Sequence, residues 1–260
     1  VAKWKLPRGN WLTGIGPDPR LSALAHRACG GVTHPPEYRD PMKMTKYTHS
    51  CVRFEKDGSV LVLDPGNFSE VEEALRDANA ILLTHEHADH IDREQVLPIL
   101  AERPDLQLHA PAALAASLRN EAAEDAQDRI FDVEPNTVQQ IAGISVRSFG
   151  GQHALIHPLI PMVENLAYLI EDRIYHPGDS FTVPNGLKAE VLLVPLHAPW
   201  SKVGEVIDFV IAVGAQTAHP IHDALLNGKG RGIVEKHLER FGGMYGTSYQ
   251  PLAPGDVVEL

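Results

Sequence analysis

Residues 84–90 read THEHADH and follow directly on the apolar run Ala80-Ile81-Leu82-Leu83. A run of this length predicts a buried strand, so the polar segment lies where that strand ends. Three imidazoles beside carboxylates cannot all be satisfied by packing, and protonated rings would repel one another. A bound metal resolves the conflict. Alternation along an extended loop directs His85 and His87 to one ion, and the following turn can direct Asp89 and His90 to a second.

Strands and helices alternate from Met44 onward, beginning with a predicted hairpin of Tyr47–Phe54 and Val60–Leu63. Hairpins mixed with strand-helix units predict an α/β (α+β) fold of two sheets between helix layers, with a single doubly wound sheet as the competing architecture. Further helices are predicted at 68–77, 91–102, 112–126, 202–213 and 232–241, and further strands at 80–83, 106–109, 129–133, 137–141, 144–149, 165–170, 173–176, 191–194, 216–218 and after 254–256.

Residues 1–42 are rich in proline and differ in composition from the rest of the chain. We therefore predict an N-terminal extension, 1–42, ahead of one domain, 43–260. Within the extension Leu21–Ala28 predicts a short helix, and Trp4, Trp11 and Leu12 are candidates for packing on the domain as an arm. The same extension is a candidate contact between subunits, which leaves a homo-oligomer open.

Charge and cysteine content exclude several classes. The chain of 260 residues has a formal net charge of −11, so nucleic acid is a disfavoured partner. Two cysteines without a CxxC pair build neither a disulfide framework nor a thiolate zinc site, and a reducing, cytoplasmic location is expected. No apolar segment approaches the roughly 20 residues that span a bilayer, and no signal peptide is predicted.

The segment 84–90 matches the HxHxDH motif of the metallo-β-lactamase superfamily, and the resemblance extends over nearly all of residues 43–260. Four further segments resemble the other motifs of that family: LDPG at 63–66, GGQH at 150–153, HPGDS at 176–180 and PIH at 220–222. The resemblance implies an αββα four-layer sandwich. The Pro-x-His segment of this chain, at 220–222, is similar to that of the lactonase-like and uncharacterised hydrolase branch.

The resemblance also implies a ligand set for two divalent ions, most simply zinc, with manganese or iron as alternatives. The first ion is expected on His85, His87 and His153, and the second on Asp89, His90 and His222, with Asp179 as the bridge. Asp64 and Thr84 are expected to support these ligands. The family counterpart of Asp64 hydrogen-bonds to a metal-binding histidine from outside the ligand set.

Two ligand positions have rivals. The Pro-x-His pattern favours His222 over His219, which then becomes a supporting residue. His157 lies four residues beyond His153, but the two glycines before His153 suit a tight turn that directs a ligand.

The segment Leu196–Trp200 follows a predicted strand and is expected at the same end of the sheet, as a wall for the substrate. His197 is a candidate to donate a proton to the leaving group or to bind an anionic substituent. Trp200 is a candidate pocket residue, and a packing role is the alternative for both. The turn 228–232 (GKGRG) carries two cations that can attract an anionic substrate to the rim.

These observations predict a metal-dependent hydrolase. A metal-bridging hydroxide would attack an ester-like bond (lactone, thioester or phosphodiester) of a small molecule, with Asp89 and His197 as candidate catalytic residues. A mononuclear iron oxygenase of the same fold and a non-catalytic binding protein are the alternatives.

Overall fold

The computed structural model describes residues 40–184 and 186–260. Its fourteen strands, in chain order, are β1 (Lys43–Lys46), β2 (Val52–Lys56), β3 (Ser59–Leu63), β4 (Ala80–Leu82), β5 (Gln107–Pro111), β6 (Ile130–Val133), β7 (Val138–Ile141), β8 (Ile144–Gly150), β9 (Leu166–Ile170), β10 (Ile174–His176), β11 (Val191–Pro195), β12 (Thr217–Ile221), β13 (Ser248–Tyr249) and β14 (Val257–Glu259). Its six helices are α1 (Val71–Ala74), α2 (Arg93–Glu102), α3 (Ala112–Glu121), α4 (Glu124–Gln127), α5 (Val203–Val213) and α6 (Gly228–Met244).

The strands form two seven-stranded sheets. The first sheet has the order β14-β1-β2-β3-β4-β5-β6, and the second has the order β13-β12-β11-β10-β9-β8-β7. Helices α1 to α4 cover the outer face of the first sheet, and α5 and α6 cover that of the second. The predicted αββα sandwich is confirmed, and the single doubly wound sheet is excluded.

Strand β3 shows how the sequence produces these layers. Its side chains alternate, so that Leu61 and Leu63 enter the core between the sheets whereas Val60 and Val62 enter the core beneath α1 to α4. Because both faces are covered, the strand is almost continuously apolar.

Parallel pairing determines where the functional residues lie. Strands β3 to β6 run parallel in the first sheet, as do β10 to β13 in the second. Their carboxyl ends therefore meet along one edge of the sandwich. The turn from β1 to β2 lies at the same edge, because Val52 at the start of β2 pairs with Leu63 at the end of β3.

Several predicted elements differ from the observed ones. The helix predicted over 68–77 is reduced to α1. The helix predicted over 112–126 is divided because Ala122 and Ala123 adopt extended backbone between α3 and α4. The short strand β1, between β14 and β2, and the short edge strand β13 were not predicted, because neither contains an apolar run that marks it as a strand.

The predicted helix at Leu21–Ala28 and the arm at Trp4, Trp11 and Leu12 lie outside the described residues. The domain boundary at residue 42 remains a prediction, although the buried Met42 already hydrogen-bonds to Leu260 through its backbone. Within 40–184 and 186–260, no helix is long and apolar enough to cross a membrane.

Candidate metal centre

The segment 84–90 leaves the end of β4 and packs tightly against the loop after β3. Backbone hydrogen bonds join Asn67 N–H to Ala88 O (2.8 Å) and Asp92 N–H to Pro65 O (3.0 Å). A Cβ atom on Gly66 would overlap the carbonyl group of Asp89, so glycine is required where the two loops meet. This contact fixes the turn that carries the candidate ligands.

Two groups of ligand atoms lie at this edge, and within each group the atoms are all within 4.8 Å of one another. The first ligand group consists of His85, His87, His153 and Asp179. The second ligand group consists of His49, Asp89, His90 and His222. The structure thus brings all seven predicted ligands together and adds His49.

Asp179 lies between the two groups. Its Oδ1 is 3.0 Å from Nε2 of His90 in the second group. Its Oδ2 is 3.2 Å from Nε2 of His153 in the first group and 3.1 Å from Nε2 of His222 in the second. One carboxylate therefore reaches ligands of both groups, which is the geometry expected of a bridge.

Hydrogen bonds from the outer ring nitrogens orient four histidines. An imidazole that donates from Nδ1 leaves the lone pair of Nε2 available to a cation. The Nδ1 atoms lie against Thr84 Oγ1 for His85 (2.9 Å), Asp64 Oδ2 for His90 (2.7 Å), Ala154 O for His153 (2.6 Å) and His197 O for His222 (2.7 Å). All four Nε2 atoms consequently face the centre.

Asp64 organises this arrangement. Its Oδ1 accepts from Thr84 N–H (2.8 Å), and its Oδ2 accepts from the Thr84 hydroxyl (2.7 Å) as well as from His90. Because Thr84 gives its proton to Asp64, its Oγ1 is free to accept from His85. Asp64 and Thr84 thus support ligands of both groups without facing the centre themselves.

His49 differs from the other rings. Its Nδ1 accepts a hydrogen bond from Ala224 N–H (3.3 Å), so in the neutral ring the proton resides on Nε2. That Nε2–H donates to Asp89 Oδ2 at 3.1 Å. A protonated ring nitrogen is no metal ligand, so His49 holds Asp89 in place although it lies within ligand distance.

Sequence reasoning missed His49 because it stands alone in the β1–β2 turn, without a neighbouring histidine or carboxylate. No sequence signal marks it, because its unusual φ of 65° for a non-glycine residue is visible only in the structure.

Charge at the site is arranged so that it attracts a cation. Burial disfavours a charged His90, but Asp179 and Asp64 outweigh burial and raise the pKa of this ring well above its ordinary value. Burial lowers the pKa of His85 well below the usual range. Asp179 is buried as well, yet the rings of His90 and His222 hold the pKa of its carboxyl well below the usual range. The Asp179 carboxyl is therefore ionised, and it faces imidazoles rather than ammonium or guanidinium groups.

Two buried polar atoms at the centre of the ligand groups show whether the site suits a metal ion. Nε2 of His90 and Oδ1 of Asp179 lie 3.0 Å apart, yet neither has a hydrogen-bond partner of proper geometry within the described part of the chain. Leaving such buried groups unpaired costs about 1–3 kcal/mol each. A cation bound by both would supply the missing partner, and the mixed imidazole and carboxylate donors suit zinc, manganese or iron.

A cavity of about 280 Å³ opens beside the ligand groups. Its wall includes Trp200, whose indole Nε1–H donates to Asp179 Oδ2 at 2.9 Å. The structure places Trp200 in the cavity wall, where its ring also holds the Asp179 carboxylate, and its role in binding a substrate stays a prediction. The other wall residues are Asn67, Phe68, His87, Ala88, Asp89, His153, Ile156, Asp179, Pro199, His222 and Leu225.

Other predicted candidates lie elsewhere. His197 does not line the cavity; its carbonyl oxygen accepts from His222, so its role is through the backbone rather than the imidazole. His219 lies within β12 with its Nδ1 3.0 Å from Gln250 O, and it touches no ligand of either group in the described hydrogen bonds. His157 is exposed in the loop before β9.

Arg231 is likewise not available to attract an anionic substrate. Its guanidinium donates to Asp223 Oδ2 (2.8 Å), Glu235 Oε1 (2.8 Å) and Leu252 O (2.7 Å). The turn predicted at 228–232 is the first part of helix α6, which begins at Gly228 rather than at residue 232, so the turn prediction is wrong.

The sequence profile of the beta-lactamase superfamily domain matches residues 43–222. The chain belongs to this superfamily. Among superfamily relatives, Protein Rv0786c of Mycobacterium tuberculosis is 37% identical over 217 residues, which is 81% of this chain and 96% of the relative. A UPF0173 protein of Pyrococcus abyssi is 26% identical over 208 residues, which is 76% of this chain and 91% of that protein.

Solved structures show the superfamily fold. Igni18, a metallo hydrolase from Ignicoccus hospitalis, aligns with a TM-score of 0.64 at 14% identity, over 85% of this chain and 98% of that one. The metallo-beta-lactamase fold protein YhfI from Bacillus subtilis aligns with a TM-score of 0.64 at 17% identity, over 85% of this chain and 100% of YhfI. The predicted family resemblance is confirmed, and the chain is a member of the beta-lactamase superfamily with the metallo-β-lactamase fold.

Proposed function

We propose that this chain is a dinuclear hydrolase that cleaves an ester-like bond of a small molecule. The observation that carries this proposal is the position of Asp179, whose two oxygens face ligands of both groups. Two divalent ions bound there would lower the pKa of a shared water toward neutrality and polarise a carbonyl or phosphoryl oxygen. Zinc is the preferred ion, with manganese or iron as alternatives.

The chain's own residues support a hydrolytic role in three ways. The four Nε2 atoms are oriented by outer hydrogen bonds before any ligand arrives, so little reorganisation is required. Trp200 holds Asp179 from the side of the cavity. A substrate in the cavity would lie directly against both groups, and among the described residues no serine or cysteine lines it.

Asp89 fits the place of a ligand of the second ion, with Nε2 of His222 3.6 Å from its Oδ2. A cytoplasmic location, the absence of a nucleic-acid partner and a homo-oligomeric state stay predictions from sequence.

Metal content per chain tests the proposal. Elemental mass spectrometry on the wild type should find about two divalent ions, and Asp179→Ala should lose at least one together with hydrolysis of a panel of lactones, thioesters and bis-phosphodiesters. The matched control is Asp125→Ala, an exposed carboxylate on α4, which should retain both metal and activity.

Other outcomes would point to different functions. One iron per chain with oxygen-dependent turnover and no hydrolysis would favour the oxygenase of the same fold. Absence of bound metal after loading with zinc, manganese and iron in turn would contradict the proposal and favour a binding protein.

A further inference from the structure

Several of the large apolar side chains that the described residues expose lie around the cavity. Phe68 and Leu225 line the cavity itself. Leu155, Ile160 and Met162 line a second recess, which shares His87, His153 and Ile156 with the first. Together with Leu159 we call these exposed residues the apolar mouth: Phe68, Leu155, Leu159, Ile160, Met162 and Leu225.

The exposure of the side chains in the apolar mouth is not explained by folding alone. Leu159 is 86% exposed and lies on a turn between β8 and β9, where polar residues would be expected. Contiguous exposed apolar surface on a soluble domain marks a binding surface rather than an incidental feature. Here the surface is continuous with the candidate metal centre, so the bound molecule would extend from that centre.

Cationic groups are missing from this surface. Among the described residues, neither the cavity nor the recess is lined by a lysine or an arginine. The nearby Arg231 is tied to Asp223 and Glu235, and the buried Lys46 is tied to Asp223 (3.1 Å). With a net charge of −11 on the chain, an anionic substrate body would find no partner here.

We propose that the apolar mouth binds the apolar chain of a neutral carboxylic ester or lactone whose carbonyl group lies at the two ligand groups. This inference rests on the proposed hydrolase function. Water is the co-reactant: its oxygen bonds to the carbonyl carbon, the bond from that carbon to the alkoxy oxygen breaks, and the alkoxy oxygen leaves with a proton as an alcohol.

Chain-length series test the inference. For p-nitrophenyl esters from acetate to octanoate, kcat/KM should rise about two- to fourfold per added methylene. This factor corresponds to the transfer free energy of one methylene from water into an apolar site. The mono-p-nitrophenyl ester of suberic acid has the same length as the octanoate but ends in a carboxylate. It should be cleaved at least about tenfold less efficiently than the octanoate.

Variants locate the effect. Leu155→Asn and Ile160→Asn change exposed side chains, so both should fold, and both should reduce the increase per methylene. The matched control is Ile233→Asn on α6, an exposed apolar residue that lines neither recess, which should retain the wild-type increase.

A binding measurement separates this inference from the hydrolase proposal. Calorimetry of 2-alkanones on metal-free protein should show affinity that increases with chain length and a negative heat-capacity change, both reduced in Ile160→Asn. Hydrolysis without dependence on chain length, or a preference for the suberate ester, would overturn the inference and leave the hydrolase proposal intact. Chain-dependent binding without hydrolysis of any ester would overturn the hydrolase proposal and the inference that depends on it.

A lipid surface is the competing occupant. If the wild type sediments with phosphatidylcholine vesicles, Leu159→Asn abolishes that binding, and the ester series shows no chain-length dependence, the mouth contacts bilayers and the inference is wrong.

Discussion

The two ligand groups share one edge of the sandwich, but the residues that support them differ in charge. In the first group, neutral oxygens of Thr84 and Ala154 orient the rings. In the second group a neutral carbonyl orients His222, but the Asp64 carboxylate orients His90, and His49 donates to the carboxylate of Asp89. Hydrogen bonds that involve an ionised group are generally stronger than neutral ones. The second group is therefore the more rigidly preorganised of the two.

A buried ion network extends this difference. Asp223, directly after His222, accepts from Lys46 Nζ (3.1 Å) and from Arg231 (2.8 Å). Burial lowers the pKa of Lys46, but Asp223 opposes that effect. The turn that carries His222 is thus held by charges on both sides, whereas His153 lies in a loop held mainly by backbone hydrogen bonds.

The largest expected effect comes from removing one ring of each group. His153→Ala and His222→Ala should each lose one ion of two and reduce hydrolysis by about a thousandfold or more, because one ion cannot bind and polarise at both positions. Elemental analysis gives the count, and cobalt(II) absorption spectra identify the group that remains loaded. Loss of both ions from either variant would show that the groups act as one cooperative site.

A smaller effect is expected from the outer carboxylate. Asp64→Asn removes the charge that orients His90, and it should weaken the second ion about 10- to 100-fold while the first ion stays. Chelator competition on the loaded protein measures both affinities. Asp92→Asn, which keeps the hydrogen bond that caps α2, is the matched control, and an equal loss there would argue against a specific role for Asp64.

Variants of His49 show whether this residue supports Asp89 or binds the ion itself. His49→Gln retains an N–H donor for Asp89 and should keep the affinity of the second ion, whereas His49→Ala should weaken it roughly tenfold. Nitrogen NMR of the histidine rings in the metal-loaded protein gives an independent readout: the proton should be on Nε2 in His49 and on Nδ1 in His90 and His222. A metal-shifted Nε2 in His49 would show that the ring is a ligand after all.

The smallest effect is expected at Trp200. Trp200→Phe keeps an aromatic wall but removes the hydrogen bond to Asp179, and kcat/KM should fall roughly tenfold with two ions retained. Phe181→Leu is the control, because that ring packs on Trp200 with ring centroids 5.1 Å apart but has no hydrogen-bond donor for Asp179. Equal losses in both variants would mean that packing, rather than the N–H donor, sustains activity.

Much of the site was predictable because its ligands occur in short local patterns. Residues 84–90 carry four ligands after one strand, and parallel strands bring the carboxyl ends of β10 and β12 to the same edge. Periodicity likewise identified most strands. The four-layer arrangement followed from the family resemblance, since hairpins and strand-helix units alone also permitted a single sheet.

The features that were not predictable depend on long-range contacts. His49 meets Asp89 across forty residues, and no local pattern marks it. His197 was expected to act through its imidazole, but the carbonyl that binds His222 is present in any residue and is invisible in sequence. The apolar mouth combines residues of three loops, which only the fold brings together.

Each ligand group takes residues from both sheets. His85, His87, His49, Asp89 and His90 belong to loops of the first sheet, and His153, Asp179 and His222 belong to loops of the second. A bound ion would therefore cross-link the two sheets. A ligand that binds only the native state stabilises that state by about 2.7 kcal/mol when the free ligand concentration is a hundred times the dissociation constant. The supply of metal in the cell would then govern how long each molecule persists, in addition to how fast it works.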